Sequence, residues 1–312
     1  MNVEAERVTF TSQGLRLAGD LRVPTGSPHD GPGGLPALAF TGPLSGVKDQ
    51  VVGNYATRLA DEGFVTLAFD HRNFGDSEGE PRQHEDAAGK LADLRDAVGY
   101  LASRPEVDAD RVAVVGVCLG GGYAVRAGAF DPRVRAIAGV GGAYNSPHRI
   151  RGMLGPEGYR GLLAGAVENL ERERTSGEIA YLPAVDPAGP ALMPGQEPFD
   201  YYGTERSTSA VWENRMTVDS RWQLLTLDAL SAAELLDETP FLVVHGKVDA
   251  YCTPEGAQAV FDRATGPKEI EWLESANHID IYDRPELVGP AIKRVAEFMA
   301  RELAPREAAA LA

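Results

Sequence analysis

The stretch Val112-Ala113-Val114-Val115-Gly116-Val117-Cys118-Leu119-Gly120-Gly121 decides how the remainder of this 312-residue chain is read. Residues 112–117 are apolar throughout, as expected of a strand buried on both faces, and residues 119–130 follow at once as a helix. No polar loop separates the two. Cys118 therefore falls on a sharp strand-to-helix turn, with Gly116 and Gly120 two residues to either side, where side chains would clash across the bend. This is the spacing of a nucleophile held on a strained turn, with cysteine in the place more often taken by serine. The following helix points its N-terminus at the thiol, which favours thiolate and offers the Leu119 N–H to a developing oxyanion. A buried cysteine beside packing glycines is the plainer alternative, and the strand-turn-helix setting favours the nucleophile.

Working outward, residues 7–13 and 15–23 alternate apolar and polar positions around Gly14, as an antiparallel hairpin does. Short apolar runs at 37–40, 64–69, 134–140, 241–245 and 269–273 then alternate with helical stretches at 51–62, 85–103, 254–264 and 287–303. Such alternation predicts crossover units and a mostly parallel sheet. The rhythm stops between residues 146 and 236. There, Leu162, Leu163, Ala166, Val167 and Leu170 have helical spacing, residues 182–198 hold five prolines, and residues 222–236 read as another helix. The expected organisation is an α/β core from residues 1–145 and 237–312, with residues 146–236 inserted as a helical cap.

Composition narrows the function. With 30 Lys and Arg against 46 Asp and Glu, the net charge of −16 repels phosphate backbones and anionic membrane surfaces. Neither nucleic acid nor membrane is an expected partner; a small acyl molecule is, and oligomeric state is left open. Cys118 and Cys252 are the two cysteines, too few for a disulfide scaffold, and the start MNVEAERVTF lacks a basic then apolar leader, so a cytoplasmic location is expected. No phosphate loop, full dinucleotide fingerprint, His-x-x-x-His or Cys-x-x-Cys pair occurs, so neither cofactor nor metal is expected.

A nucleophile on this turn needs a base and an orienting acid from loops after later strands. His278, after the run ending at Leu273, is the expected base, with His245 as the weaker candidate inside an apolar run. Asp249, just after residues 241–245, is the expected acid; Asp280 and Asp283 stand close to His278 in sequence and remain rivals. Leu119 and Leu44 are the expected oxyanion donors, because Pro43 has no N–H to give. Gly75-Asp76-Ser77-Glu78-Gly79 also satisfies the serine form of the motif, but polar residues precede it and Pro81 follows, which is the wrong context. In the insertion, Tyr201, Tyr202, Trp212 and Trp222 are candidate pocket walls, and Cys252 reads as structural.

Gly116-Val-Cys-Leu-Gly-Gly121 resembles the turn of dienelactone hydrolases, cysteine-dependent members of the α/β-hydrolase superfamily, and the likeness extends to the later acid and histidine. It covers residues 15–145 and 240–303. Residues 41–50 and 69–82 resemble a broader group of hydrolases filed beside that family. Dienelactone hydrolases lack a cap of this size, and their substrate-carboxylate arginines and thiol-gating glutamate have no match here. The resemblance implies an α/β-hydrolase fold of about eight mostly parallel strands with a helical cap, and a Cys118–His278–Asp249 triad acting on an ester, lactone or acyl thioester. A lyase or cyclase using the same three residues, a Ser77 hydrolase, and a binding protein that keeps only the pocket are the alternatives.

Overall fold

The apolar run that ends at Cys118 is a central strand of an eight-stranded sheet in the computed structural model, which describes residues 2–305. The strands are β1 (Asn2–Ser12), β2 (Leu15–Thr25), β3 (Leu35–Thr41), β4 (Val65–Phe69), β5 (Val107–Val117), β6 (Val134–Val140), β7 (Phe241–Gly246) and β8 (Lys268–Leu273). Their spatial order is 1-2-4-3-5-6-7-8. The hairpin β1–β2 and the β2–β4 pair are antiparallel, whereas the pairs from β4 to β8 are parallel. Gln13 (φ 48°) and Gly14 (φ 87°) both take the left-handed region that a two-residue hairpin turn requires. β5 starts earlier than its apolar run, because Asp108 to Arg111 continue the strand beyond the buried centre of the sheet.

Helices α1 (Val51–Asp61), α2 (Ala87–Ala102) and α3 (Gly120–Phe130) make the first crossovers. The insertion between β6 and β7 contributes α4 (Pro147–Ser176), α5 (Gln196–Tyr202), α6 (Ser220–Thr226) and α7 (Leu230–Ala233), with two-residue strand pairs between them. α4 is kinked at Gly155 (φ 73°), just before Pro156, and leaves Leu162, Val167 and Leu170 exposed. Residues 222–236 are not one helix. Leu227 turns to an extended conformation, and Asp228 accepts from the N–H and hydroxyl of Ser231, which restarts the chain as a separate short helix. α8 (Pro254–Arg263), α9 (Asp280–Asp283) and α10 (Pro285–Glu302) complete the core. Parallel pairing brings the C-terminal ends of β3, β5, β6, β7 and β8 to one edge, where their loops converge. No helix among the described residues is long and apolar enough to cross a membrane.

Candidate active site

Cys118 has φ 55°, a left-handed conformation that costs a non-glycine residue on the order of 1–3 kcal/mol. The surroundings enforce it. The Cys118 N–H donates to Val140 (3.1 Å), and its carbonyl accepts from Gly121 (2.8 Å) and Ala143 (2.7 Å). A Cβ on Gly116 would collide with the Gly120 carbonyl, and one on Gly120 with the Thr41 carbonyl, so β3, β5 and α3 meet backbone to backbone. The Leu119 and Leu44 N–H groups have no protein acceptor among the described residues, and both residues line the cavity that Cys118 faces.

The loop carrying Leu44 is held by the segment that contains the serine decoy. Lys48, 2% exposed, donates its backbone N–H to Asp70 Oδ1 (2.7 Å) and its ammonium to Asp70 Oδ2 (2.8 Å) and Asp76 Oδ2 (2.6 Å). Gly75 is needed at φ 53° because a Cβ there would strike the Asp70 carboxylate. Ser77 donates to the Asp70 carbonyl (2.6 Å) and accepts from the Ala18 N–H (2.9 Å). Its hydroxyl ties β2 to this loop, and it does not line the cavity.

Asp249 and His278 arrive from the loops after β7 and β8. Asp249 Oδ1 accepts from the N–H groups of Tyr251 (2.9 Å) and Cys252 (2.7 Å), leaving Oδ2 for His278 Nδ1 at 2.6 Å. On the other side of the ring, Nε2 is 2.9 Å from the Tyr282 hydroxyl and 3.7 Å from Cys252 Sγ. Glu197, from α5 in the insertion, accepts from the His278 (2.7 Å) and Ile279 (2.9 Å) N–H groups and so fixes the histidine loop. The rival acids are engaged elsewhere: Asp280 and Asp283 pair with Arg206 at 3.0 and 2.6 Å. His245 lies behind the acid, its Nε2 4.0 Å from Asp249 Oδ2 and its Nδ1 3.0 Å from the Gly246 carbonyl, outside the cavity wall.

Cys252 is not a remote structural residue. Its Sγ lies 3.7 Å from Cys118 Sγ. By donating its S–H, Cys252 is the foremost influence holding the Cys118 thiol well below the usual thiol range; burial opposes this, and His278 and Tyr282 reinforce it. Cys252 itself is pushed well above that range, by sharing its proton with Cys118 and by burial. Burial alone would lower His278, but the Cys118 thiolate and Asp249 outweigh it and raise the imidazole to about 10. A thiolate–imidazolium pair is the state these groups favour together.

The cavity over Cys118 measures about 210 Å³. From the segment between β6 and β7, its wall takes Leu192, Met193, Pro194, Pro198 and Leu224, not the aromatic residues expected there. Tyr201 and Tyr202 sit one layer back, with ring centroids 5.0 and 6.4 Å from Tyr282. Trp212 stacks on Tyr202 (5.6 Å) and donates to Ser45 Oγ at 3.3 Å, bracing the Leu44 loop, while Trp222 is 41% exposed. Together these groups can stabilise a thiolate, move a proton at Nε2, and hold an apolar group.

The chain is similar to known proteins over most of its length. The profile of the alpha/beta hydrolase family matches residues 29–291. An uncharacterised Pseudomonas aeruginosa protein, PA2218, is 30% identical over 96% of this chain and 81% of its own. Its crystal structure superposes with a TM-score of 0.85, covering 96% and 94% of the two chains at 29% identity. The polyketide transferase grgF of a Penicillium species is 27% identical over 86% of this chain and 89% of its own, and its structure superposes over 97% and 100% with a TM-score of 0.80. The thiohydrolase aneE of Aspergillus aculeatus is 28% identical over 94% and 90%. On the family match over residues 29–291, and on a relative 30% identical over 96% of this chain, the chain belongs to the alpha/beta hydrolase family of enzymes.

Proposed function

We propose that this enzyme transfers an acyl group from a thioester, ester or lactone to water through a covalent intermediate on Cys118. The observation that carries the reading is the convergence of Cys118, His278 and Asp249 under an apolar cavity, with His278 Nδ1 2.6 Å from the Asp249 carboxylate. The Cys118 thiolate attacks the acyl carbon, and the carbonyl oxygen takes the negative charge towards the Leu119 and Leu44 N–H groups. As the tetrahedral species collapses, the bond to the leaving sulfur or oxygen breaks and His278 Nε2 gives it a proton. Water then attacks the thioester on Cys118 while Nε2 accepts its proton. The acid departs and the thiolate–imidazolium pair is restored. Asp249 holds Nδ1–H throughout and keeps Nε2 aimed at the reacting atoms.

The substrate class draws support from the site and from relatives. The wall formed by Leu192, Met193 and Leu224 suits an aliphatic acyl chain, and aneE is named a thiohydrolase. A second reading, transfer to an acceptor other than water, is favoured by the name of grgF, a polyketide transferase. Rapid acid quench with an acyl-thioester analogue or p-nitrophenyl butyrate tests the common step. An adduct equal to the acyl group is expected on the Cys118 peptide, absent in Cys118→Ala. Labelled water then separates the readings: ¹⁸O in the product acid means hydrolysis, and its absence with an acceptor adduct means transfer. Turnover of a substrate by Cys118→Ser at the native rate, without any adduct, would remove the thiol from the mechanism.

A further inference from the structure

Three donor groups of a kind that bind soft metal ions meet at one point beneath the cavity. Cys118 Sγ and Cys252 Sγ are 3.7 Å apart, and Cys252 Sγ is 3.7 Å from His278 Nε2. All three corners of the triangle lie within 4.8 Å of one another. A tetrahedral zinc ion with bonds of about 2.3 Å to sulfur and about 2.05 Å to nitrogen needs edges of roughly 3.8 Å between sulfurs and roughly 3.6 Å from sulfur to nitrogen. Two edges already have these lengths, and the third lies within 4.8 Å. We propose that Cys118, Cys252 and His278 form a binding site for a thiophilic divalent ion, zinc in the first place, with its fourth position open to the cavity.

Two further features fit this donor set. Asp249 lies 2.6 Å from Nδ1, which fixes the ring and leaves Nε2 as the ligand atom; a carboxylate behind the histidine is the usual support of a zinc-bound imidazole. All three ligand residues are buried and also line the cavity, so the fourth ligand is water or a substrate atom entering from that side. The proton balance is fixed: the two sulfurs and Nε2 hold two protons between them, however shared, and both leave when the ion binds. The ion takes the place of the Tyr282 hydroxyl at Nε2. Sequence spacing could not reveal this site, since its ligands come from three loops.

Cobalt titration of the reduced full-length protein under argon tests the site without reference to activity. One equivalent of Co²⁺ is expected to give thiolate-to-cobalt charge transfer in the near ultraviolet with the strong visible bands of a four-coordinate ion, and Zn²⁺ should displace it. Cys252→Ser should lose about half of the charge-transfer intensity and bind at least tenfold more weakly. Asp249→Asn should keep the band but weaken affinity by about 10–100-fold. Absence of charge transfer in the wild type, or a Cys252→Ser titration identical to it, overturns the proposal. Should Cys252→Ser fail to fold, X-ray absorption of the zinc-loaded wild type decides. Two sulfur neighbours and an imidazole support the site, and a shell of oxygen and nitrogen alone overturns it.

Discussion

Replacing Asp249 with asparagine separates a working triad from a mere cluster of buried hydrogen bonds. The carboxylate divides its oxygens: Oδ1 accepts two backbone N–H groups at 2.9 and 2.7 Å, and Oδ2 faces His278 Nδ1 at 2.6 Å. Those N–H donors hold the asparagine carbonyl at Oδ1 and turn its NH₂ toward the imidazole. A donor facing Nδ1 requires a lone pair there, so the ring proton moves to Nε2, the atom that must accept a proton from water. The loop keeps its backbone bonds and its fold, while the tautomer is wrong. In serine triads this change costs about 10⁴ in kcat, equivalent to roughly 5.5 kcal/mol of barrier at 1.36 kcal/mol per decade. The assay is steady-state hydrolysis of an activated ester, with circular dichroism as the folding control. Asp280→Asn and Asp283→Asn, whose carboxylates pair with Arg206, should stay within tenfold of wild type. A folded Asp249→Asn protein within tenfold of wild type, or loss of turnover in Asp280→Asn instead, refutes the assignment.

Three other outcomes are expected. Because Cys252 and His278 hold the Cys118 midpoint well below the usual thiol range, iodoacetamide should alkylate it at a rate that stays flat where an ordinary thiol ionises and falls on acidification. Cys252, pushed in the opposite direction, should stay unmodified in that window, and a Cys118 rate climbing through about pH 8.5 would contradict the pairing. Lys48→Ala strands the buried Asp70 carboxylate and frees the Leu44 loop, so urea denaturation should show a loss of about 3–5 kcal/mol, part of it recovered by adding Asp70→Asn. In the cap, Met193→Ala and Leu224→Ala should shift acyl-chain preference towards longer chains, whereas Trp222→Ala should leave the profile unchanged; the reverse pattern across p-nitrophenyl esters of increasing length would place the pocket elsewhere.

The parts of this molecule legible in its sequence are those where local pattern and position agree. An unbroken apolar run, a glycine-framed turn and a helix leave one reading of residues 112–130, and parallel strands then oblige Asp249 and His278 to emerge at the same edge as Cys118. The segment between β6 and β7 was harder to read because aromatic content was the wrong guide. Tyr201 and Tyr202 pack against Tyr282 behind the site, while the proline-rich segment at residues 182–198 supplies Met193 and Pro194 to the wall. Two neighbours of Cys118 did leave a local signal. Tyr282 stands four residues after His278, and the turn closed by the Ile281 and Tyr282 N–H groups puts both on one helical face. Cys252 stands three residues after Asp249, the spacing at which an aspartate side chain accepts a downstream N–H and folds the chain back on itself. Treating Asp249 only as a partner for histidine missed the second use of its carboxylate. That second use turns a loop cysteine towards Cys118, where its proton biases the Cys118 sulfur to thiolate and its own sulfur completes the proposed metal-binding triangle.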